Sequence, residues 1–208
     1  LRCVEYARRS GTPLRVRSSF TDSPGTLVTT AEELEGAAVE APIISGVAHD
    51  LGEAKITIAG VRDEPGRAAL VFEILATADI NIDMIVQNVS AAGITDITFT
   101  LPMSDGDKAM AVLRGNKNEI GYETVTYDDQ VAKVSLVGAA MRSHPGVSAT
   151  TFRALADAGI NVEMISTSEI RISVVVRAED VTRAVQAIHT AFGLDADGEA
   201  VVYAGTGR

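Results

Sequence analysis

The chain has 208 residues, 46% hydrophobic and 22% charged, enough for two domains of modest size with cores of their own. A net charge of −10 and a pI near 4.7 set it against phosphate backbones and exclude nucleic acid as a general partner. Cys3 is the only cysteine, which excludes an internal disulfide or a zinc site of paired cysteines and fits a reducing cytoplasm; no apolar run approaches the ~20 residues of a membrane helix, and no signal peptide is expected.

In chain order, Arg2 to Arg9 reads as the end of a helix and Gly11-Thr12-Pro13 as a turn. Leu14 to Val16 reads as a short strand and Ser23-Pro24-Gly25 as a second turn. A segment of this size buries no core alone, so residues 1–30 are expected to be the remnant of a preceding domain. Residues 31–45 are taken as a linker, rich in Ala and Glu over most of its length. Ile43 to Asp50 is an extra strand candidate, and the sequence leaves open which sheet it joins.

The first unit, 46–128, opens with Ala54 to Ile58 (AKITI), where Ile56 and Ile58 alternate with Lys55 and Thr57. A loop ends at Pro65-Gly66. Proline is favoured at the first helical position, so Pro65 is expected to start a helix. Ala68, Val71, Phe72 and Leu75 then keep the spacing of one helix face. Strands follow at Ile82 to Val89 and Ile94 to Leu101, the second alternating Ile97, Phe99 and Leu101 with Thr98 and Thr100. A weaker helix signal at Asp107 to Arg114 and a strand at Tyr122 to Tyr127 complete the unit.

The second unit, 129–208, repeats this order. Ala132 to Leu136 reads AKVSL, and Pro145-Gly146 follows with Ser143 as a nearby cap. Ser148, Thr151, Phe152 and Leu155 share a helix face. Strands are expected at Val162 to Thr167 and Ile170 to Arg177, a helix at Asp180 to Phe192, and a closing strand near Ala200 to Tyr203. LATADINIDMI at Leu75 to Ile85 recurs as LADAGINVEMI at Leu155 to Ile165, and from the prolines to these isoleucines the offset stays at 80. A constant offset with matching apolar positions marks a duplicated domain. The expected fold class is α+β: two tandem ferredoxin-like βαββαβ units, each with two helices on one face of a four-stranded antiparallel sheet.

Nothing in the sequence commits to turnover. It lacks a Walker or Rossmann glycine loop, a nucleophile elbow and any His and carboxylate at metal spacing. His49, His144 and His189 lie far apart, and Gly205-Thr206-Gly207 is too isolated to cradle phosphate. No catalytic residue and no metal ligand is therefore expected. Binding is better served. Asp63 to Gly66 and Ser143 to Gly146 each lead into a helix N-terminus, where bare amides and the helix dipole favour an anion. Glycine there lets a ligand approach the backbone. Asn81-Ile82-Asp83 and Asn161-Val162-Glu163 open the next strands and offer acceptors for an ammonium group. Donors on one side and acceptors on the other suit a zwitterion such as a free amino acid. Pro-Gly after a strand also fits a plain helix start, and Asp83 and Glu163 also fit solvated strand ends. The polar run Gln87, Asn88 and Ser90, matched by Ser166-Thr167-Ser168-Glu169 beside the matching loop, weighs toward binding. Phe72, Phe152, Met84 and Met164 read as core.

Several strings resemble the regulatory half of aspartate kinase, its actinobacterial form above all. They are Ile82-Asp83-Met84-Ile85-Val86-Gln87-Asn88-Val89-Ser90, Thr95-Asp96-Ile97-Thr98-Phe99-Thr100, Lys133-Val134-Ser135-Leu136-Val137-Gly138, Ser143-His144-Pro145-Gly146-Val147 and Ile165-Ser166-Thr167-Ser168-Glu169-Ile170-Arg171-Ile172-Ser173. Tyr127-Asp128-Asp129 and the ending Val202-Tyr203-Ala204-Gly205-Thr206-Gly207-Arg208 agree, and Val16-Arg17-Ser18-Ser19-Phe20 resembles the end of that family's kinase domain.

The resemblance implies two ACT domains (46–128 and 129–208) behind a remnant of an amino-acid kinase domain. It implies feedback regulation of an enzyme that phosphorylates L-aspartate with ATP on the way to lysine, threonine, methionine and diaminopimelate. ATP and Mg2+ would belong to the kinase domain, so this chain is expected to hold no cofactor and to be inactive alone. The expected partners are free L-threonine and L-lysine, a second copy through the ACT domains, and a catalytic chain or domain. By the same resemblance, a threonine-type site uses Asp63, Gly66, Arg67, Ala68, Ile82, Asp83 and Gln87, with Asn161 and Val162 from the partner chain. A lysine-type second site uses Met141, His144, Gly146, Val147, Glu163, Thr167, Ser168 and Glu169. Ser90, Thr95 and Ser166 fall at feedback-sensitive positions. The second loop departs from the first, Ser143 standing where Asp63 stands. The alternative is a free-standing ACT sensor serving another enzyme or a transcription factor.

Overall fold

The computed structural model describes residues 2–29, 44–88, 93–138, 141 and 144–195. Most of the expected linker, together with Ser90, Ser143 and the strand near Ala200 to Tyr203, lies outside them. Arg2–Ser10 forms helix α1, and Leu14–Val16 (β1) pairs with Thr26–Val28 (β2) in a two-stranded hairpin. None of residues 3–29 is buried.

The first unit follows the sequence reading. Glu53–Arg62 (β4), Arg67–Thr77 (α2), Ile85–Gln87 (β5), Ile94–Pro102 (β6), Gly106–Gly115 (α3) with the short Lys117–Ile120 (α4), and Thr124–Asp128 (β7) form a βαββαβ unit. Its antiparallel sheet has the order β5-β6-β4-β7. The second unit supplies Val131–Gly138 (β8), Val147–Asp157 (α5), Met164–Thr167 (β9), Arg171–Arg177 (β10) and Val181–Ala191 (α6).

The fourth strand of the second sheet is Ile44–Asp50 (β3), from ahead of the first unit. Its antiparallel register runs from Ile44 opposite Gly138 to Asp50 opposite Lys133. Ile44 is buried and Val47 packs in the same core, which is what draws the strand there. Of the two sheets the sequence leaves open for this strand, it joins the second, beside β8. A unit boundary at 46 cuts through this strand.

The helices start later than the prolines predict. Gly66 and Gly146 precede α2 and α5 with φ of 94° and 104°. This left-handed geometry costs a residue with a Cβ but not glycine, so the glycines and not the prolines set where each helix begins. The first helical bonds run from the amides of Leu70 and Thr150 to the carbonyls of Gly66 and Gly146, at 2.9 and 2.8 Å.

Alternation along the strands divides two faces. Ile56, Ile58, Ile97, Phe99 and Leu101 face the helices and form one core with Val71, Leu75 and Leu113. Phe72 meets Phe99 edge-on with ring centroids 5.9 Å apart. Val134, Leu136, Ile172, Val174 and Val176 face α5 and α6 in a second core with Leu155 and Ile188. Met84, Val131, Met164 and Val175 form a third cluster, which joins the two sheets. The methionines expected in the domain cores are in fact the apolar centre of this seam.

Candidate functional site

The loop end of the first unit is made by three strands arriving together. The amide of Asp63 donates to Gly93 O at 3.0 Å, and Arg62 lies opposite Ile94. Gln87 lies opposite Ile97, and Thr95, which is buried, donates its hydroxyl to Asn88 O. Asp63, Gly66 and Gln87 are exposed there, with Ala68 half-buried one turn in. A Cβ built on Gly66 or Gly146 meets no described residue within 4 Å, which leaves the space above both helix starts open among the described residues. No side chain among the described residues caps either helix. The Arg67 amide donates to Glu64 O at 3.2 Å; the first-turn amides after it remain as donors, and the helix dipole favours a carboxylate beside them. Arg67 is otherwise engaged: it binds Glu64 at 3.0 Å and the Glu119 carbonyl at 3.3 Å, pinning the helix start to α4.

Ile82 and Asp83 are not at this end. The Asp83 amide donates to Thr100 O at 3.0 Å, whereas Asp63 sits beside Gly93, so the two lie about 23 Å apart along β6. The second unit divides in the same way. Met141 donates to Glu169 O, beside the Gly146 loop, while the Glu163 amide donates to Val175 O at the far end. The reason is the crossover. An 11-residue helix carries the chain back about 16 Å, so the next strand begins where the previous one began. The loop donors and the acceptors that follow in sequence therefore do not meet within a unit, as the sequence reading had them meet. Met141 and Val147 are buried, and His144, Gly146, Thr167, Ser168 and Glu169 are exposed at the second loop end with Ser166 nearby. Asn161 is exposed and Val162 half-buried at the acceptor end of the second unit.

The acceptor ends of the two units face each other across the seam. Lys133 Nζ lies 2.5 Å from both Glu53 Oε1 and Asp83 Oδ2. Lys55 pairs with Glu163, with Asp128 Oδ2 at 3.9 Å. Arg177 Nη1 binds Asp128 Oδ2 at 2.7 Å and Glu163 Oε1 at 3.3 Å. Each unit's first-strand lysine thus holds the acidic residue that opens the other unit's second strand. In the sequence Lys55 and Lys133 are only the polar beats of two alternating strands. Nothing in their spacing marks them as partners, because each partner lies in the other unit.

Burial works against the charge of Asp128, but the Gln130 amide, Arg177 and Lys55 outweigh it and hold its carboxyl below the ordinary 3.8. Burial likewise opposes the charge of Lys133, and its hydrogen bonds to Asp83 and Glu53 outweigh this and hold it above the ordinary 10.5. A carboxylate with a depressed folded value stabilises above its unfolded pKa, and that stability is lost as pH falls through the folded value. A lysine with a raised folded value stabilises below its unfolded pKa, and that stability is lost as pH rises through the folded value. The seam should therefore be fully formed between about pH 4 and 10 and weaken on both sides. Urea midpoints at pH 3, 7 and 11 are expected to be highest at pH 7. A midpoint independent of pH would mean the seam adds nothing to stability.

Three comparisons place this architecture. The family model for the ACT domain matches residues 56–116 and again 134–192, one match per unit. The chain belongs to the ACT-domain family. Aspartokinase of Mycolicibacterium smegmatis is 56% identical over 210 aligned residues, covering 100% of this chain and 49% of that protein. The chain thus spans about half the length of such relatives. The regulatory subunit of aspartate kinase from Thermus thermophilus, in a ligand-free crystal structure, superposes with a TM-score of 0.69 at 42% identity. That match covers 72% of this chain and 99% of the subunit. A crystal structure of aspartokinase alpha and beta subunits matches with a TM-score of 0.68 at 43% identity, over 72% of this chain and 98% of that one. This ACT-domain pair is therefore the regulatory type found in aspartate kinases. Among the described residues, no helix is long and apolar enough to cross a membrane, and no group of His, Cys, Asp and Glu is arranged to hold a metal ion.

Proposed function

We propose that this chain is the amino-acid-sensing, feedback-inhibited region of an aspartate kinase, binding L-threonine, L-lysine or both where an ACT domain of one chain meets one of a second copy. One observation carries the reading. Donors at the Asp63 to Gly66 loop and acceptors at Asp83 lie about 23 Å apart in one chain, far beyond the span of an amino acid. A second copy packed end to end brings the loop of one chain to the acceptor end of the other. In the threonine-type site, Gly66 and Ala68 receive the carboxylate, Asp63 and Gln87 line the loop side, and the partner's Asn161 and Val162 receive the ammonium group. The lysine-type site pairs Met141, His144, Gly146 and Val147, with Thr167, Ser168 and Glu169 beside them, against the other chain's Ile82 and Asp83. Glu163, claimed by Lys55 and Arg177, plays a structural part there.

The partner whose activity responds is a catalytic domain or chain, which phosphorylates L-aspartate with ATP and Mg2+ in the cytoplasm. An effector that binds one dimer arrangement better by ~1–3 kcal/mol changes the equilibrium ~5–150-fold, and one that binds both equally regulates nothing. Calorimetric titration with L-threonine, L-lysine and both together tests the proposal, with sedimentation to follow the dimer. Heat of binding and a dimer strengthened by effector are expected. No response to any aspartate-family amino acid would remove the reading.

A further inference from the structure

We propose that Lys133 is a positioning residue of the amino-acid site: it bridges Asp83 and Glu53 in the effector-free state and is left to Glu53 alone when an ammonium group takes Asp83. The inference rests on the amino-acid-sensor reading and adds how occupancy is felt by the other unit.

The charges around the seam are unequal. Lys55, Lys133 and Arg177 face four carboxylates, those of Glu53, Asp83, Asp128 and Glu163. On the Glu163 side two cations serve two carboxylates. On the Asp83 side, among the described residues, a single ammonium, Lys133, is shared between two. The surplus negative charge therefore lies at Asp83 and Glu53. Asp83 is the open member, its side chain 38% exposed against 16% for Glu163. It is the acidic strand opener that solvent and a ligand reach.

Glu53 is the reserve. Its side chain is 9% exposed, and its buried Oε2 accepts no hydrogen bond among the described residues. A buried carboxylate oxygen without a donor is costly, so Glu53 gains when Lys133, released from Asp83, turns a proton toward Oε2. An effector ammonium on Asp83 puts two like charges on one carboxylate, and their repulsion drives Lys133 away. The retreat needs no new desolvation, because Glu53 Oε1 already touches Lys133 and Oε2 stands bare beside it. Lys133 is on β8 of the second unit, two residues from Val131 of the apolar seam, so a ligand on the first unit changes the charge pairing of a strand of the second. Glu163, held by both Lys55 and Arg177, has no such exchange.

The test is calorimetry on the whole chain with L-lysine, whose site takes Asp83 in the reading above, and with L-threonine as the control whose site does not, after thermal melts show that each variant folds. Lys133→Met removes the competitor and should tighten L-lysine binding roughly fivefold. Glu53→Gln removes the charge of the reserve seat, fixes Lys133 on Asp83, and should weaken binding by a similar factor. Lys133→Arg keeps the charge and should bind close to wild type. Opposite signs at Lys133 and Glu53 are the signature, since a purely structural role would weaken binding in both. Wild-type binding with Lys133→Met unchanged or weaker overturns the inference and leaves the sensor reading standing. If wild type and Lys133→Met both ignore the two amino acids, the sensor reading falls and takes this inference with it.

Discussion

Mixing two binding-dead variants, Gly66→Val and Asn161→Lys, is expected to restore roughly a quarter of the wild-type threonine sites in a two-fold symmetric dimer. Gly66 sits at φ 94°, which a β-branched residue adopts only at a cost of about 1–2 kcal/mol, and the new side chain fills the open space above the helix start. Asn161→Lys puts a fixed ammonium where the effector's own would lie. Each variant alone should lose at least about tenfold in affinity, or ~1.4 kcal/mol. In a site built within one chain, no mixture recovers anything. In a site shared by two chains, half the dimers in an equal mixture are heterodimers, and each of these has one intact site and one doubly damaged site. The stoichiometry of L-threonine bound after unfolding and refolding the two chains together measures this directly. A stoichiometry of zero would show that loop and acceptor come from the same chain.

Phe99→Ala is expected to lower stability by about 3–5 kcal/mol, the cost of emptying a large buried aromatic site. Phe99 is fully buried in mid-strand, flanked along β6 by Ile97 and Leu101, and has Phe72 against its edge. Its loss removes the edge contact, worth about 1 kcal/mol beyond area, together with the buried surface. Against a total of about 5–15 kcal/mol for a domain, this is a large share. The second unit should feel it too. Its strand β3 enters ahead of the first unit, and Met84 and Lys55 of the first unit pack and pair with Met164, Val175 and Glu163 of the second. Urea unfolding followed by circular dichroism should show one transition, moved as a whole. Two transitions with the second unmoved would mean that the seam does not couple the units.

The elements inside each unit were legible because they rest on local periodicity. Ile97, Phe99 and Leu101 alternate in the sequence and are buried together in the structure. The helix face of Val71 and Leu75 and its copy at Thr151 and Leu155 follow from 3.6-residue spacing alone. The Pro-Gly loops were legible as helix entries, but the sequence reading gave the start to proline, since only the backbone shows the left-handed glycine between them. Asp83 was legible as an acceptor and misplaced relative to Asp63. Adjacency in sequence suggests a shared site, whereas an intervening helix guarantees the opposite end of the sheet.

By itself, then, the sequence determined two copies of one βαββαβ pattern, their cores and their paired loops, because duplication and hydrophobic period are properties of the chain read in order. Only the tertiary structure decided which sheet receives Ile44–Asp50, that Met84 and Met164 join the two units, and that Lys55 and Lys133 cross to each other's acidic partners. Those pairings link residues 50 to 108 positions apart. Charge attraction at such separations leaves no periodic trace in the sequence, and it takes effect only once two folded sheets have brought the groups within a few ångströms.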